Sequence, residues 1–265
     1  MLYKYITAER VDVLQNLKVR FTPYNQLNDP YECRFVLNPI PRERRKAKAD
    51  DYEAEWVEVE RWLQTHVGQL GMLCLSRTSR NLLMWSHYAA NHSGLVVAFD
   101  EQHDFFKHDV YFYQTPFWRK VIISLPGFGT LRDLTYSQER SVINLGEGVP
   151  FDSFFRKSLD WSYEQEVRIF RTLEEANEIH GSGSKAVHLF NLPPELIRQV
   201  IIGAQAGSKM EQQILDATQK SGLLHVQIDK ATLDPREFNI TFKTLRKPKR
   251  TPNNSLKRPR NKKAS

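Results

Sequence analysis

The residue types best able to do chemistry fall into three short clusters. The latest is Trp161-Ser162-Tyr163-Glu164-Gln165-Glu166-Val167-Arg168. In a strand, Glu164, Glu166 and Arg168 share one face, because side chains alternate with period two. Neighbouring carboxylates repel, which raises a carboxyl pKa unless a cation or a ligand hydroxyl intervenes. Arg168 is that cation. The middle cluster is Cys74-Leu75-Ser76-Arg77-Thr78-Ser79, followed by Met84-Trp85-Ser86-His87-Tyr88 and His92. On a helix, Met84, His87, Tyr88 and Asn91 share one face, with Trp85, Ala89 and His92 on the adjacent one. The rings of Trp85 and Tyr88 are candidates for stacking a flat ligand, and Ser76 and His87 for hydrogen bonding it. The earliest cluster is Leu27-Asn28-Asp29-Pro30-Tyr31-Glu32, in which Asn28 and Asp29 are placed to contact ligand hydroxyls.

Each cluster has a plain structural alternative. The earliest is then an Asx-turn, the middle one a core helix with a satisfied histidine, and the latest a solvated edge strand with a salt bridge. A metal site is not expected, since His87 and His92 are five apart rather than four and lack a third ligand. Gly-rich phosphate loops, a GxSxG elbow, HExxH and paired cysteines are absent, which argues against P-loop hydrolases, Rossmann dehydrogenases and zinc fingers.

The elements that must position these residues follow from periodicity and punctuation. Leu2–Tyr5, Val11–Leu17 and Leu17–Phe21 read as strand, short helix and strand. Thr22–Pro30 reads as turns, with Asp29 pushed out of the helical region by Pro30. Tyr52, Trp56, Val59 and Leu63 mark a helix between Arg42 and His66. Met72–Leu75 is a strand, and a helix over Asn81–Ala90 is capped by Ser79 and stopped by Gly94. Strands follow at Leu95–Phe99 and Val110–Tyr113, loops at Leu125–Gly129 and Ile143–Pro150, and a short helix at Phe151–Leu159. Glu166–Arg171 alternates as a strand, and His180–Ser184 is a loop. Ala186–Phe190, Gln199–Ile202, His225–Asp229 and Phe238–Phe242 complete the strands, with a helix over Ser208–Ser221. The sum is an α+β domain over residues 1–242.

The chain has 265 residues, of which 40% are hydrophobic, enough for a sizeable core. Its 38 Lys and Arg against 31 Asp and Glu give +7, but ten of the bases and none of the acids lie between Lys243 and Lys263. The remaining 28 bases against 31 acids leave the body near −3. Basicity is therefore a property of the segment 243–265, which reads as a disordered tail. No apolar stretch approaches the ~20 residues of a membrane span, and no export signal is visible at the start. Cys33 and Cys74 cannot frame a disulfide scaffold, so a reduced, cytoplasmic compartment is expected.

LYKY near the start, LNDPYE, LSRTSRNLLMWSHYAANHSGLVVAFD and WSYEQEVRIF resemble the domain-of-unknown-function 2971 family over about residues 1–230. That bacterial family includes proteins linked with abortive phage resistance. The order of the clusters also resembles, more weakly, the mono-ADP-ribosyltransferases. Glu164-x-Glu166 matches their late Glu-x-Glu, while Ser76–Ser79 and Tyr88 are candidates for the middle element. Lys4, Arg20 and Arg34 are candidates for the early one. This second resemblance implies a split sheet with flanking helices and NAD as co-substrate. Glu166 would hold the ribose and stabilise an oxocarbenium ion, and Glu164 would orient or deprotonate an acceptor. Asn28, Asp29, Ser76 and His87 would hold phosphate or ribose, with Trp85, Tyr88 and Arg168 completing the pocket. The expected activity is ADP-ribosyl transfer or NAD hydrolysis on a nucleotide-like ligand. The alternative is a non-enzymatic nucleic-acid-binding or sensor protein of a defence system, gripping phosphates through the tail and the Arg42–Lys48 run.

Overall fold

A computed structural model of the chain describes residues 1–33, 35–38, 67–114, 121–124, 126–144 and 151–249. The helix read between Arg42 and His66, the Arg42–Lys48 run, Arg34 and residues 250–265 lie outside the described residues. In chain order the first elements are β1 (Leu2–Ile6), α1 (Asp12–Asn16), β2 (Lys18–Pro23), β3 (Val36–Asn38), β4 (Leu70–Ser76), α2 (Leu82–Tyr88) and β5 (Leu95–Phe99). Short strands follow: β6 (Tyr111–Gln114), β7 (Val121–Ser124), β8 (Arg132–Asp133), β9 (Thr135–Ser137), β10 (Val142–Asn144) and β11 (Arg156–Ser158). The last group is β12 (Glu166–Thr172), β13 (Glu178–His180), β14 (Val187–Asn191), β15 (Ile197–Ile202), α3 (Ser208–Lys220), β16 (Gln227–Leu233) and β17 (Ile240–Arg246).

One mixed sheet carries the molecule, in the order β13-β14-β2-β4-β1-β5-β15-β16-β17, with β12 on β4 and β8 on β12. The pattern is the expected mixed α+β one. β5, Leu-Val-Val-Ala-Phe, is buried along its whole length, as suits a strand paired on both sides. β4 organises the site. Its residues Leu70–Ser76 pair in full with β12, from Thr172 to Glu166. Its other edge is divided: β2 pairs at Gly71 and Met72, and β1 at Ser76. Between them the sheet opens. The carbonyl of Cys74, at that opening, takes the Lys4 Nζ ammonium at 2.9 Å instead of a strand N–H.

The main core is mostly aliphatic, with Phe21, Phe99 and Phe190 among it, and takes in residues of the sheet, α1 and α3, where Leu14, Leu73, Val97, Val167, Ile169 and Ile214 are buried. A second core is built from Phe35, Phe128, Phe154, Phe155 and Phe170. β12 separates the two, with Val167 and Ile169 in the first and Phe170 in the second. A third, around Trp85, Tyr5, Val96 and Ile201, seats α2 on the sheet.

Several local expectations change in the structure. The cap of α2 is Asn81, whose side chain accepts from the Met84 N–H at 3.1 Å, rather than Ser79. The helix stops at Tyr88, before Gly94, because Ala90, Asn91 and His92 adopt left-handed backbone with φ of 47°, 51° and 67°. Phe151–Leu159 is not one helix: a 3₁₀ turn over Phe151–Phe155 gives way to β11, and a second 3₁₀ turn over Leu159–Glu164 follows. Glu164 therefore ends a 3₁₀ turn and is not part of β12. Gln165, at φ 45°, makes the turn between them. Ile143 belongs to β10 rather than to a loop, pairing with β3. Among the described residues no helix is long and apolar enough to cross a membrane.

The last strand extends past the boundary expected at Lys243. β17 pairs with β16 from Ile240 to Arg246, the Arg246 guanidinium donates to the Leu223 carbonyl at 2.9 Å, and the Lys249 N–H donates to Leu224 O at 2.9 Å. A chain ending at Lys249 is expected to melt like the full-length protein. One ending at Phe242 loses over half of β17 and is expected to melt several degrees lower, since ~1 kcal/mol moves the midpoint of a domain this size by ~2–4 °C. Equal melting temperatures for the two truncations would contradict a strand through Arg246.

Candidate functional site

The opening between β1 and β2 is the mouth of a cleft of about 260 Å³. Lys4 of β1, Arg20 of β2, Asn28, Tyr88 of α2, Glu164, Glu166 and Arg168 line it. Glu32 and Lys157 form part of its lining too. Clusters far apart in the chain thus converge on one pocket.

Its floor is a buried charge network. Arg168, wholly buried, donates from Nε to Glu166 Oε1 at 2.9 Å and from Nη1 to Glu32 Oε1 at 2.7 Å and to the Phe154 carbonyl at 3.0 Å. Lys157 donates to Glu164 Oε2 at 2.6 Å and Glu166 Oε2 at 3.1 Å, with Glu32 Oε2 at 3.9 Å. The Tyr88 hydroxyl donates to Glu164 Oε1 at 2.5 Å and accepts from Asn28 Nδ2 at 2.9 Å. Below, the Glu166 N–H donates to the Tyr136 hydroxyl at 2.7 Å.

The two acids ionise in opposite directions. For Glu166, burial alone would raise the carboxyl, but Arg168 and Lys157 outweigh it and hold it well below the ordinary 4.5. For Glu164, burial dominates, with repulsion from Glu166 added, and its carboxyl is raised despite Lys157. Burial also raises the Tyr88 hydroxyl, and Glu164 beside it raises it further. Such a divided pair is the arrangement acid–base sites use, one group fixed as a carboxylate and the other able to carry a proton.

The candidate residues named from the sequence are distributed unevenly about this site. Asn28, Tyr88, Glu164, Glu166 and Arg168 meet in the cleft, as do Lys4 and Arg20. Ser76 lies there too, but it is buried and its hydroxyl is used structurally, donating to the Glu164 carbonyl at 2.6 Å. Asp29 faces a different cavity, and its carboxylate accepts from the Tyr31 N–H at 2.8 Å, an Asx-turn. Trp85 cannot stack a ligand: it is fully buried, its indole N–H donates to the Ser79 carbonyl at 2.8 Å, and its ring packs edge-on against Tyr5. His87 is exposed and lies outside the cleft lining, paired through Nδ1 with the Tyr163 hydroxyl at 3.0 Å. Arg168 is no member of a solvated edge strand, since β12 is flanked by β4 and β8 and Arg168 is buried.

The site also contains residues that local pattern does not single out. Glu32 stands inside the LNDPYE motif, a usable signal. Lys157 and Tyr136 carry none, because their neighbours in the chain are unrelated to the motifs. Among the described residues no group of His, Cys, Asp and Glu is arranged to hold a metal ion.

A family model described as "Protein of unknown function (DUF2971)" matches residues 84–169. This span holds Tyr88, Lys157, Glu164, Glu166 and Arg168, but not Asn28 or Glu32. Comparison with curated proteins and with solved structures gives no match.

The network makes stability depend on which charge is removed. Glu166→Gln strands Arg168 in a buried site and is expected to cost ~3–5 kcal/mol, read as a lower denaturation midpoint. Glu164→Gln removes a charge that burial already disfavours and leaves Lys157 paired with Glu166, so it should cost less than Glu166→Gln. The acid dependence follows from the signs. Glu166, held low, stabilises above about 4.5 and loses that contribution as pH falls towards its folded pKa. Denaturation of the wild type should therefore become easier below about 4.5, with a shallower acid dependence in Glu166→Gln. Equal losses from both variants would contradict the assigned network. Trp85→Ala is expected to cost ~3–5 kcal/mol, as a buried core aromatic does.

Proposed function

We propose that the cleft cleaves the glycosidic bond of a nucleotide-like substrate of the NAD class, as an ADP-ribosyltransferase or NAD glycohydrolase. The observation that carries this reading is the pair Glu164 and Glu166 in one cleft, with ionisation driven in opposite directions. A volume of about 260 Å³ encloses a nucleoside-sized fragment and leaves the rest of a dinucleotide towards the mouth. Lys4 and Arg20 line the same cleft and are the cations assigned to its phosphates.

In the proposed step the bond between the ribose C1′ and the nicotinamide nitrogen breaks, and its electron pair leaves with neutral nicotinamide. The positive charge that develops on the ribose is stabilised by the carboxylate Glu166, held ionised by Arg168 and Lys157. Water or an acceptor hydroxyl bonds to C1′ and passes its proton to Glu164. Tyr88, anchored by Asn28, orients that carboxylate. Glu166 is held by two cations, Arg168 and Lys157, whereas Glu164 has one cation and the Tyr88 hydroxyl, and its raised carboxyl is the one able to take up a proton.

The experiment is incubation of purified protein with NAD and measurement of nicotinamide release. Glu164→Gln is expected to lower release by roughly 10²-fold or more while retaining a near-native melting temperature. The wild-type rate should rise with pH as Glu164 loses its proton, above the ordinary 4.5 of a glutamate. No nicotinamide release by the wild type, or full release by a stable Glu164→Gln, would sink this reading.

A further inference from the structure

A second cavity, of about 330 Å³, shares Glu32 and Lys157 with the first cleft and no other residue. The proposed reaction does not use it. It is enclosed by the turn after Asn28, the loop between β9 and β10, and the strand β11 with the 3₁₀ turn before it. Its lining carries anion-binding donors: the Arg156 guanidinium, the hydroxyls of Ser137, Ser141 and Ser153, and Arg140, which also donates to the Phe35 carbonyl at 3.2 Å. Its acids are largely committed elsewhere. Asp29 accepts from the Tyr31 N–H, and Glu32 accepts from Arg168, which leaves Glu139 as the remaining carboxylate of the lining. At the rim the Tyr31 ring is 60% exposed, with the Arg140 guanidinium 5.4 Å from its centroid.

We propose that this second cavity binds a phosphate-bearing small molecule and that its occupancy is transmitted to the first cleft through Lys157. Two arginines and three serine hydroxyls lining one cavity from different segments match the several oxygens of a phosphate better than the two of a carboxylate. The Tyr31 ring offers a stacking face for a planar substituent. Transmission needs no large movement. The Lys157 ammonium is held at 2.6 Å by Glu164 and at 3.1 Å by Glu166, and it is already part of the second cavity's lining. An anion there competes for the same ammonium, loosening its grip on Glu164. The indole of Trp161, whose ring centroid is 4.9 Å from Lys157 Nζ, is the nearest reporter.

The inference stands apart from the reaction proposed above, because binding is measured without turnover. Inorganic pyrophosphate is titrated into the full-length protein by calorimetry, and the Trp161 indole resonance is followed by NMR. Arg156→Gln is expected to weaken binding roughly ten- to a hundredfold, as does loss of a charge-assisted contact to an anion. Arg156 is exposed, so the variant should fold normally. Glu164→Gln, which frees the Lys157 ammonium from one of its partners, should still bind and no more weakly than the wild type. Pyrophosphate should shift the Trp161 resonance in the wild type and not in Arg156→Gln. Weakening by Arg20→Gln with Arg156→Gln unaffected would move the site to the first cleft and overturn the proposal. Absence of binding, or binding with no change at Trp161, would overturn it as well.

Discussion

Arg168 is a guanidinium with no exposure to water, and a charge in that position is tolerable only when its partners replace the lost hydration. Glu166 and Glu32 supply them, one from the start of the same strand and one from the turn after β2. The planar fork of arginine is what lets one side chain reach both acids and the Phe154 carbonyl. Lys157 then closes the network from β11, bridging Glu166 to Glu164. The turn after β2, the strand β11, the 3₁₀ turn at Glu164 and the strand β12 are thereby held in one arrangement. Desolvation makes the network costly to break at Arg168 or Glu166 while giving little net gain over an apolar core, so what it contributes is a fixed geometry.

The sheet supplies the space in which this network faces a ligand. Because β1 and β2 pair with opposite ends of the same edge of β4, they diverge, and the gap between them opens over the Glu164–Glu166 pair. Lys4 bridges the gap to the Cys74 carbonyl, and so a residue lining the mouth also satisfies the exposed backbone. The thiols nearby are inert for the same reason the acids are perturbed. Burial pushes Cys74 up to about 12, with Glu166 adding to the effect.

The site joins a strand to a turn. Glu166 and Arg168 sit on a strand flanked by two others, whereas Glu164 ends a 3₁₀ turn joined to the strand by Gln165 in left-handed conformation. The Ser76 hydroxyl, donating to the Glu164 carbonyl, pins that turn to β4. The two carboxylates thus come from different backbone settings, one a strand and the other the end of a 3₁₀ turn.

The sequence by itself determined the strands and helices whose pattern is local: β1, β5 and β12 by alternation or an apolar run, and α3 by its periodicity and the glycine after it. It also exposed the pairing of Glu166 with Arg168, because two residues apart on a strand means one face. Glu164, Tyr88 and Asn28 were legible as polar groups beside aromatics and turns, though the contact among them was not. Trp85 misleads because an aromatic on a helix face looks the same whether that face meets a ligand or a core, and only the packing of α2 on β1 and β5 decides which. Lys157 was invisible for the complementary reason: a lysine in a short polar strand has the pattern of a surface residue. Its burial depends on Glu32, Glu164 and Glu166 arriving from other elements to neutralise it. Local pattern encodes which side a residue points to, whereas what waits on that side is set by contacts between separate segments, and those exist only once the sheet has assembled.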